Sequence, residues 1–311
     1  MSSGHFAPQT SERRALSLGL SAVLLWSSVA TGFKLGLAVL TPLQLVLLGS
    51  VISTLVFMLF LALRRVRSAR PPAAAKLRWQ HTLREAVPLA IINPLAYYPI
   101  LLAGYDRLPA QIAQPLNYTW ALVLAILAVP ILKQPLSFRL ICGLLISYGG
   151  AALLVAGGSR ASWATSDPIG LLYILLSTVL WALYWLLNTR TQEDPLVLML
   201  TSFALALPPL AGLTYWHDGW PALNLVTLSY GLWIGIIEMG VTFVLWQSAL
   251  RATGQAARIG QLIFLAPFLS LIPIHWVLKE PILWTSVVGL AVIVAGLLVT
   301  GRPTSDPQPA R

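Results

Sequence analysis

Charge is what this sequence has least of. Only 10% of its 311 residues are Asp, Glu, Lys or Arg, while 57% are hydrophobic; soluble domains hold roughly 25% and 45–50%. So few polar side chains cannot coat a globule in water, and a mean hydropathy of +0.78 makes lipid the expected surroundings. Cysteine occurs once, as Cys142 inside an apolar run, which excludes an internal disulfide. Histidine occurs four times, and His275 has no ligand-like neighbour in sequence. No spacing resembles a phosphate loop, a metal cluster or a nucleophile–base pair, so no cofactor is expected and an enzyme lacks convergent groups. Met1–Glu12 is polar, and the apolar run after it is longer than a signal core and has no convincing cleavage site, so no secretory signal is expected.

What the chain does have is apolar length. Ten runs can be read, at about 16–37, 43–63, 86–104, 110–131, 139–157, 168–188, 195–214, 229–248, 256–277 and 282–300. A membrane crossing takes about 20 such residues, so the chain reads as an all-α integral membrane protein with ten transmembrane helices. The net charge of +10 is unevenly placed. With the N-terminus inside, 16 cations fall in cytoplasmic segments, among them Arg64, Arg65, Arg67 and Arg84, and only Arg107, Arg160 and Lys279 fall outside. That is a positive-inside bias with both termini cytoplasmic, and it explains the charge better than nucleic-acid binding does. Tyr215-Trp216-His217-Asp218-Gly219-Trp220 carries no cation and reads as an interfacial aromatic belt.

The chain also repeats itself. Leu132-Lys133-Gln134-Pro135 returns 146 residues later as Leu278-Lys279-Glu280-Pro281, and Gly143 and Gly150 land on Gly289 and Gly296. With a slightly shorter offset Ile91-Ile92-Asn93 lands on Ile236-Ile237-Glu238, and with a longer one Leu25-Trp26 more weakly echoes Leu180-Trp181. Five helices per copy is an odd number, so the second copy enters the membrane inverted. The expected organisation is a tail at 1–15, a five-helix repeat at 16–160, its inverted copy at 165–301 and a tail at 302–311. Inverted repeats are a transporter architecture with a site near the midplane.

These features resemble the drug/metabolite transporter superfamily in its ten-helix EamA-type branch. The resemblance rests on the two similar halves, the Leu278–Pro281 turn with its Gly289/Gly296 helix, and Ala266-Pro267. Gln134 departs from the acid the family often has there, and Trp120-Ala121 stands where a proline matching Pro267 would be. Asn117-Tyr118-Thr119-Trp120 and Trp181-Ala182-Leu183-Tyr184 are similar to YddG-type aromatic amino acid exporters, which chooses a substrate class.

Polar residues inside the runs mark the expected site, because facing lipid is costly. Glu238 lies near the middle of the eighth run, where an ionised acid costs about 2.5–3.5 kcal/mol. It must be neutral, paired or wet, and it reads as a proton-coupling or substrate-amine group or as a helix–helix hydrogen bond. Asn93 is its repeat equivalent. Lys34 is a cation inside the first run; it either snorkels to the interface or meets a substrate carboxylate or Glu238. Gln114, Asn117 and Tyr118 share a face by three- and four-residue spacing. Trp181, Tyr184 and Asn188 form a stripe, and stripes of this kind are commonly packing, though polar-tipped rings suit a flat organic substrate. Tyr97, Thr242, Trp246 and Gln261 extend the set. The four glycines read as close helix packing away from any site.

The expected function is a secondary transporter in the plasma membrane, a bacterial inner membrane, exporting a small amphipathic metabolite by alternating access. An amino acid with an aromatic or bulky apolar side chain is the leading cargo. Purines, cationic drugs or nucleotide sugars are alternatives, as are a membrane-embedded enzyme or a lipid scramblase. Expected partners are the substrate, membrane lipids and protons but not nucleic acid, in a monomer or homodimer.

Overall fold

A computed structural model describes residues 12–67, 79–132, 138–156, 167–188, 191, 193–252, 259 and 262–300. Among these the secondary structure is helical throughout. The helices are α1 (Glu12–Ser27), α2 (Val29–Leu37), α3 (Pro42–Arg67), α4 (Trp79–Ala90), α5 (Tyr97–Arg107), α6 (Ala110–Asn117), α7 (Trp120–Leu132), α8 (Phe138–Ala156), α9 (Pro168–Asn188), α10 (Pro195–Asp218), α11 (Leu225–Trp233), α12 (Thr242–Ala252), α13 (Ala266–Leu278) and α14 (Trp284–Thr300). Widened π-type turns at Ile91–Ala96 and Ile234–Val241 join α4 to α5 and α11 to α12.

Among the described residues six segments are long and apolar enough to cross a membrane: Glu12–Leu37, Pro42–Val66, Trp79–Arg107, Pro168–Asn188, Pro195–Asp218 and Leu225–Leu250. Shorter apolar helices cover Ile141–Ala151, Leu262–Leu278 and Trp284–Gly296. The run at 110–131 is two helices, α6 and α7, parted at Tyr118-Thr119. The run beginning at residue 86 starts earlier, at Trp79, and breaks at Asn93, whose backbone leaves the helical region at φ −140° and ψ 115°. Pro94 explains this: a proline ring pushes the residue before it out of the α region.

Two compact units emerge, residues 1–95 with 192–278, and residues 96–191 with 279–311. Each draws helices from both halves of the sequence.

In the first unit α3 packs on α10, α11 and the Ile234–Val241 turn, while α1 packs on α12 and α13. Glycine makes the α3 contact close. A Cβ at Gly235 would lie 2.7 Å from the Gly49 carbonyl oxygen, and one at Gly231 would lie 2.9 Å from Leu48 Cβ. The Ser53 hydroxyl donates to the Gly235 carbonyl at 2.9 Å, tying the helices together. Asp194 caps α10, accepting from Leu196 and Val197 with Pro195 at the first position. The far end of α10 is fixed by the Thr41 hydroxyl, which donates to Asp218 Oδ2 at 2.6 Å. Exposed Tyr215, Trp216 and Trp220 follow there, with the rings of Tyr215 and Trp220 5.6 Å apart.

In the second unit α8 lies against α14, and α9 against α5, α6 and α7. The repeated glycines form the first of these contacts. A Cβ at Gly150 would sit 2.7 Å from both Gly289 O and Ile293 N, and one at Gly296 2.5 Å from Gly143 O. Ser147 Oγ donates to the Ile293 carbonyl at 3.0 Å within the same seam.

The start of α9 is pinned to the end of α5. Arg107 Nη1 reaches Asp167 Oδ2 at 2.7 Å, and Asp167 Oδ1 caps α9 by accepting from Ile169 and Gly170. The hydrogen bond from Arg107, then those from the two backbone amides, hold the Asp167 carboxyl below the usual carboxylate range. A depressed folded-state pKa gives stability that is present above the unfolded value of about 3.9 and lost as pH falls through the folded value. Asp167→Asn is therefore expected to melt at a lower temperature than wild type at neutral pH. The gap should close in thermal scans run progressively below pH 4; a gap independent of pH would contradict this.

Candidate functional site

The second unit holds a cluster of aromatic rings built on the α9 stripe. Trp181 stacks on Tyr97 with centroids 4.5 Å apart and planes at 22°, and on Tyr184 at 5.3 Å and 16°. Trp120 and Trp185 meet Trp181 edge-on at 6.5 Å and 5.9 Å. Tyr97, Tyr98, Trp181 and Tyr184 are all buried. Aromatic pairs of this kind contribute about 0.5–1.5 kcal/mol each beyond their buried area. The rings stack on one another, so a flat ligand ring would enter by exchanging one such contact for its own. The Trp185 indole N–H is buried without a hydrogen-bond partner among the described residues, which leaves a donor inside the cluster.

Polar groups from α6 border this unit's interior. Ser177 Oγ donates to Asn117 Oδ1 at 3.4 Å and to the Ile174 carbonyl at 2.7 Å. The Tyr105 hydroxyl donates to Gln114 Oε1. Tyr118 is buried where α6 ends, its N–H donating to the Gln114 carbonyl. Asn188 turns back on its own helix, its Nδ2 donating to the Tyr184 carbonyl at 3.0 Å. Thus Trp181, Tyr184 and Tyr97 come together as rings, whereas Gln114 and Asn188 are engaged in local hydrogen bonds.

The first unit holds Lys34, Asn93, Glu238 and Thr242. Glu238 is 8% exposed and Asn93 fully buried. Both polar atoms of the Asn93 amide are without a hydrogen-bond partner among the described residues. An orphaned buried amide of this kind costs about 1–3 kcal/mol, and it sits at the break that Pro94 opens. Glu238 lies in the widened turn, where the Thr242 hydroxyl donates to the Ile237 carbonyl five residues back. Ile234, Gly235 and Met239 of the same turn meet α3. Lys34 is half-buried in α2. Gln261 lies outside the described residues, as do Gln255 and Arg258.

One functional-looking feature went unread in the sequence. Trp26, on α1, meets Phe243 at 6.1 Å and Trp246 at 5.5 Å. By the repeat offsets Trp26 corresponds to Trp181, and Phe243 to Tyr98. Each unit therefore sets the tryptophan of one half beside aromatic side chains from the third helix of the other half. The Leu25-Trp26 echo was the available signal.

Helices of this length and apolarity define an integral membrane protein. Comparison with known proteins adds its class. The EamA-like transporter family matches residues 13–156 and again residues 168–302, and the chain belongs to that family of membrane transporters. It is 22% identical over 243 residues to the uncharacterized transporter YvbV of Bacillus subtilis (strain 168), covering 77% of this chain and 78% of that one. Over 148 residues it is 31% identical to the uncharacterized transporter YdeK of the same organism, 46% of this chain and 51% of the relative. An uncharacterized transporter of Archaeoglobus fulgidus is 23% identical over 286 residues, 90% of this chain and 95% of that one. A solved crystal structure superposes with a TM-score of 0.62 at 20% identity, covering 92% of this chain and 97% of the other, which shows the shared fold.

Proposed function

We propose that this transporter is an exporter of a small amphipathic metabolite, an amino acid with an aromatic or bulky apolar side chain. The observation that carries this reading is the buried stack of Tyr97, Trp181 and Tyr184, with Ser177, one turn before Trp181 on α9, bonded to Asn117. Such a stack offers flat apolar area, and its neighbours offer hydrogen bonds, a combination suited to a substrate with one apolar and one polar end. The proposed architecture is ten transmembrane helices in two inverted five-helix repeats, with both termini cytoplasmic, in a bacterial inner membrane. The proposed mechanism is alternating access driven by a gradient of substrate, or of protons through Glu238.

Counterflow in proteoliposomes with a panel of amino acids tests the substrate class. Phenylalanine, tyrosine and tryptophan should exchange fastest, and Trp181→Leu should raise their half-saturation about tenfold, as expected for one lost stacking contact. Equal exchange of small polar amino acids, or preferred exchange of purines or cationic drugs, would overturn the reading.

A further inference from the structure

Helix α6 is short and has no cap of its own. It has eight residues, with Pro109 at the capping position and Pro115 inside. Isolated helices shorter than about 12–15 residues are marginal in water, and the N–H groups of a first turn have no partner inside the helix. Proline has no side-chain acceptor with which to cap them, and Pro109 makes no such bond.

The missing cap comes from 170 positions along the chain. The Ala110 N–H donates to Glu280 Oε1 at 2.9 Å and the Gln111 N–H to Glu280 Oε2 at 3.1 Å. The two oxygens of one carboxylate thus take two successive amides, with the anion at the positive end of the helix. Lys279, just before it, adopts a left-handed backbone at φ 59°, so the chain turns sharply there. Ser286 Oγ, in the first turn of α14, donates to Gln111 Oε1 at 3.2 Å. The Tyr105 hydroxyl then holds Gln114, and Ser177 holds Asn117. All three polar side chains of α6 are accordingly bonded by other elements of the same unit.

We propose that Glu280 is a positioning residue for transport. Its carboxylate caps α6 from a distant turn and thereby sets the register of Asn117 and Tyr118, without itself touching substrate. This rests on the reading of α6 as a substrate-facing element. It also gives the Lys279-Glu280-Pro281 motif a role beyond that of a turn. Asp167 provides the contrast. It too caps a helix by accepting two amides, but α9 has 21 residues and supports itself.

The test has two arms. In the first, hydrogen exchange by mass spectrometry is read on detergent-solubilised wild type, Glu280→Ala and Glu280→Gln. In Glu280→Ala the Ala110 and Gln111 amides should exchange about tenfold faster, the equivalent of a lost cap, with α8 and α14 unchanged. Glu280→Gln, which keeps a carbonyl acceptor but no charge, should fall between. In the second arm, phenylalanine counterflow should show half-saturation raised about tenfold in Glu280→Ala, with maximal exchange rate nearly constant, while Asp167→Asn matches wild type. Wild-type exchange rates at Ala110 and Gln111 in both Glu280 variants would overturn the proposal, as would an unchanged half-saturation. If wild type moves no aromatic amino acid, the substrate reading fails, and the exchange arm alone still decides whether Glu280 holds α6.

Discussion

Replacing Glu238 by glutamine is expected to abolish the response of transport to an imposed pH gradient while leaving substrate counterflow in place. In wild-type proteoliposomes a pH step of two units should change initial flux at least about tenfold; in Glu238→Gln the change should vanish. Glutamine fills the same space and keeps a hydrogen-bonding end, so what it removes is the titratable charge. An ionised acid in the middle of a spanning helix is disfavoured by about 2.5–3.5 kcal/mol, and Glu238 is buried within the Leu225–Leu250 segment. The substitution should therefore leave the melting temperature unchanged or raise it. Loss of coupling together with equal or greater stability is the signature of a functional acid. A structural hydrogen-bonding role would lower stability and leave coupling intact. A wild-type flux indifferent to the pH gradient would remove proton coupling altogether.

The second large effect separates two adjacent glycines. Gly150→Leu should destroy the folded protein, and Gly149→Leu should leave it nearly unaffected. A Cβ at Gly150 would meet backbone atoms of α14 on both sides, Gly289 O and Ile293 N, each at 2.7 Å. Backbone cannot rotate aside as the end of a side chain can, so the whole helix must shift. Overpacking costs typically about 1–3 kcal/mol where side chains can adjust, and this seam should exceed that range. At Gly149 nothing lies within 4 Å of the added atom. Size-exclusion profiles and thermal unfolding in detergent should show a monodisperse Gly149→Leu and an aggregated or absent Gly150→Leu. Similar behaviour of the two would contradict the packing of α8 on α14.

These residues also mark how far the sequence could be read. The seven-residue recurrence of Gly143/Gly150 and Gly289/Gly296 announced close helix packing, because a glycine stripe in an apolar helix has few other uses. The three-residue step from Trp181 to Tyr184 brought those rings to one face. The break at Asn93 was legible in principle from Pro94, since the constraint is local. The role of Glu280 was not legible: its partners are 169 and 170 positions away, and no periodicity encodes a contact at that distance. The split between α6 and α7 and the widened turn holding Glu238 also depend on surroundings that the apolar pattern averages away. Gln114 shares a helix face with Asn117 by spacing, and its Oε1 accepts from the Tyr105 hydroxyl, a contact that spacing does not encode.

The interleaving of the two sequence halves has a consequence for how the chain is made. Helix α1 packs on α12 and α13, which are synthesised about two hundred residues later. At about 5–20 residues per second, α1 and α3 wait roughly 10–40 s for helices that cover them. During that interval the hydroxyls of Thr31 and Ser50, buried in the finished protein, face lipid or whatever assists insertion. The first half of the chain is thus a guest in the membrane until the second half arrives: one core waits for residues 192–278 and the other for residues 279–311.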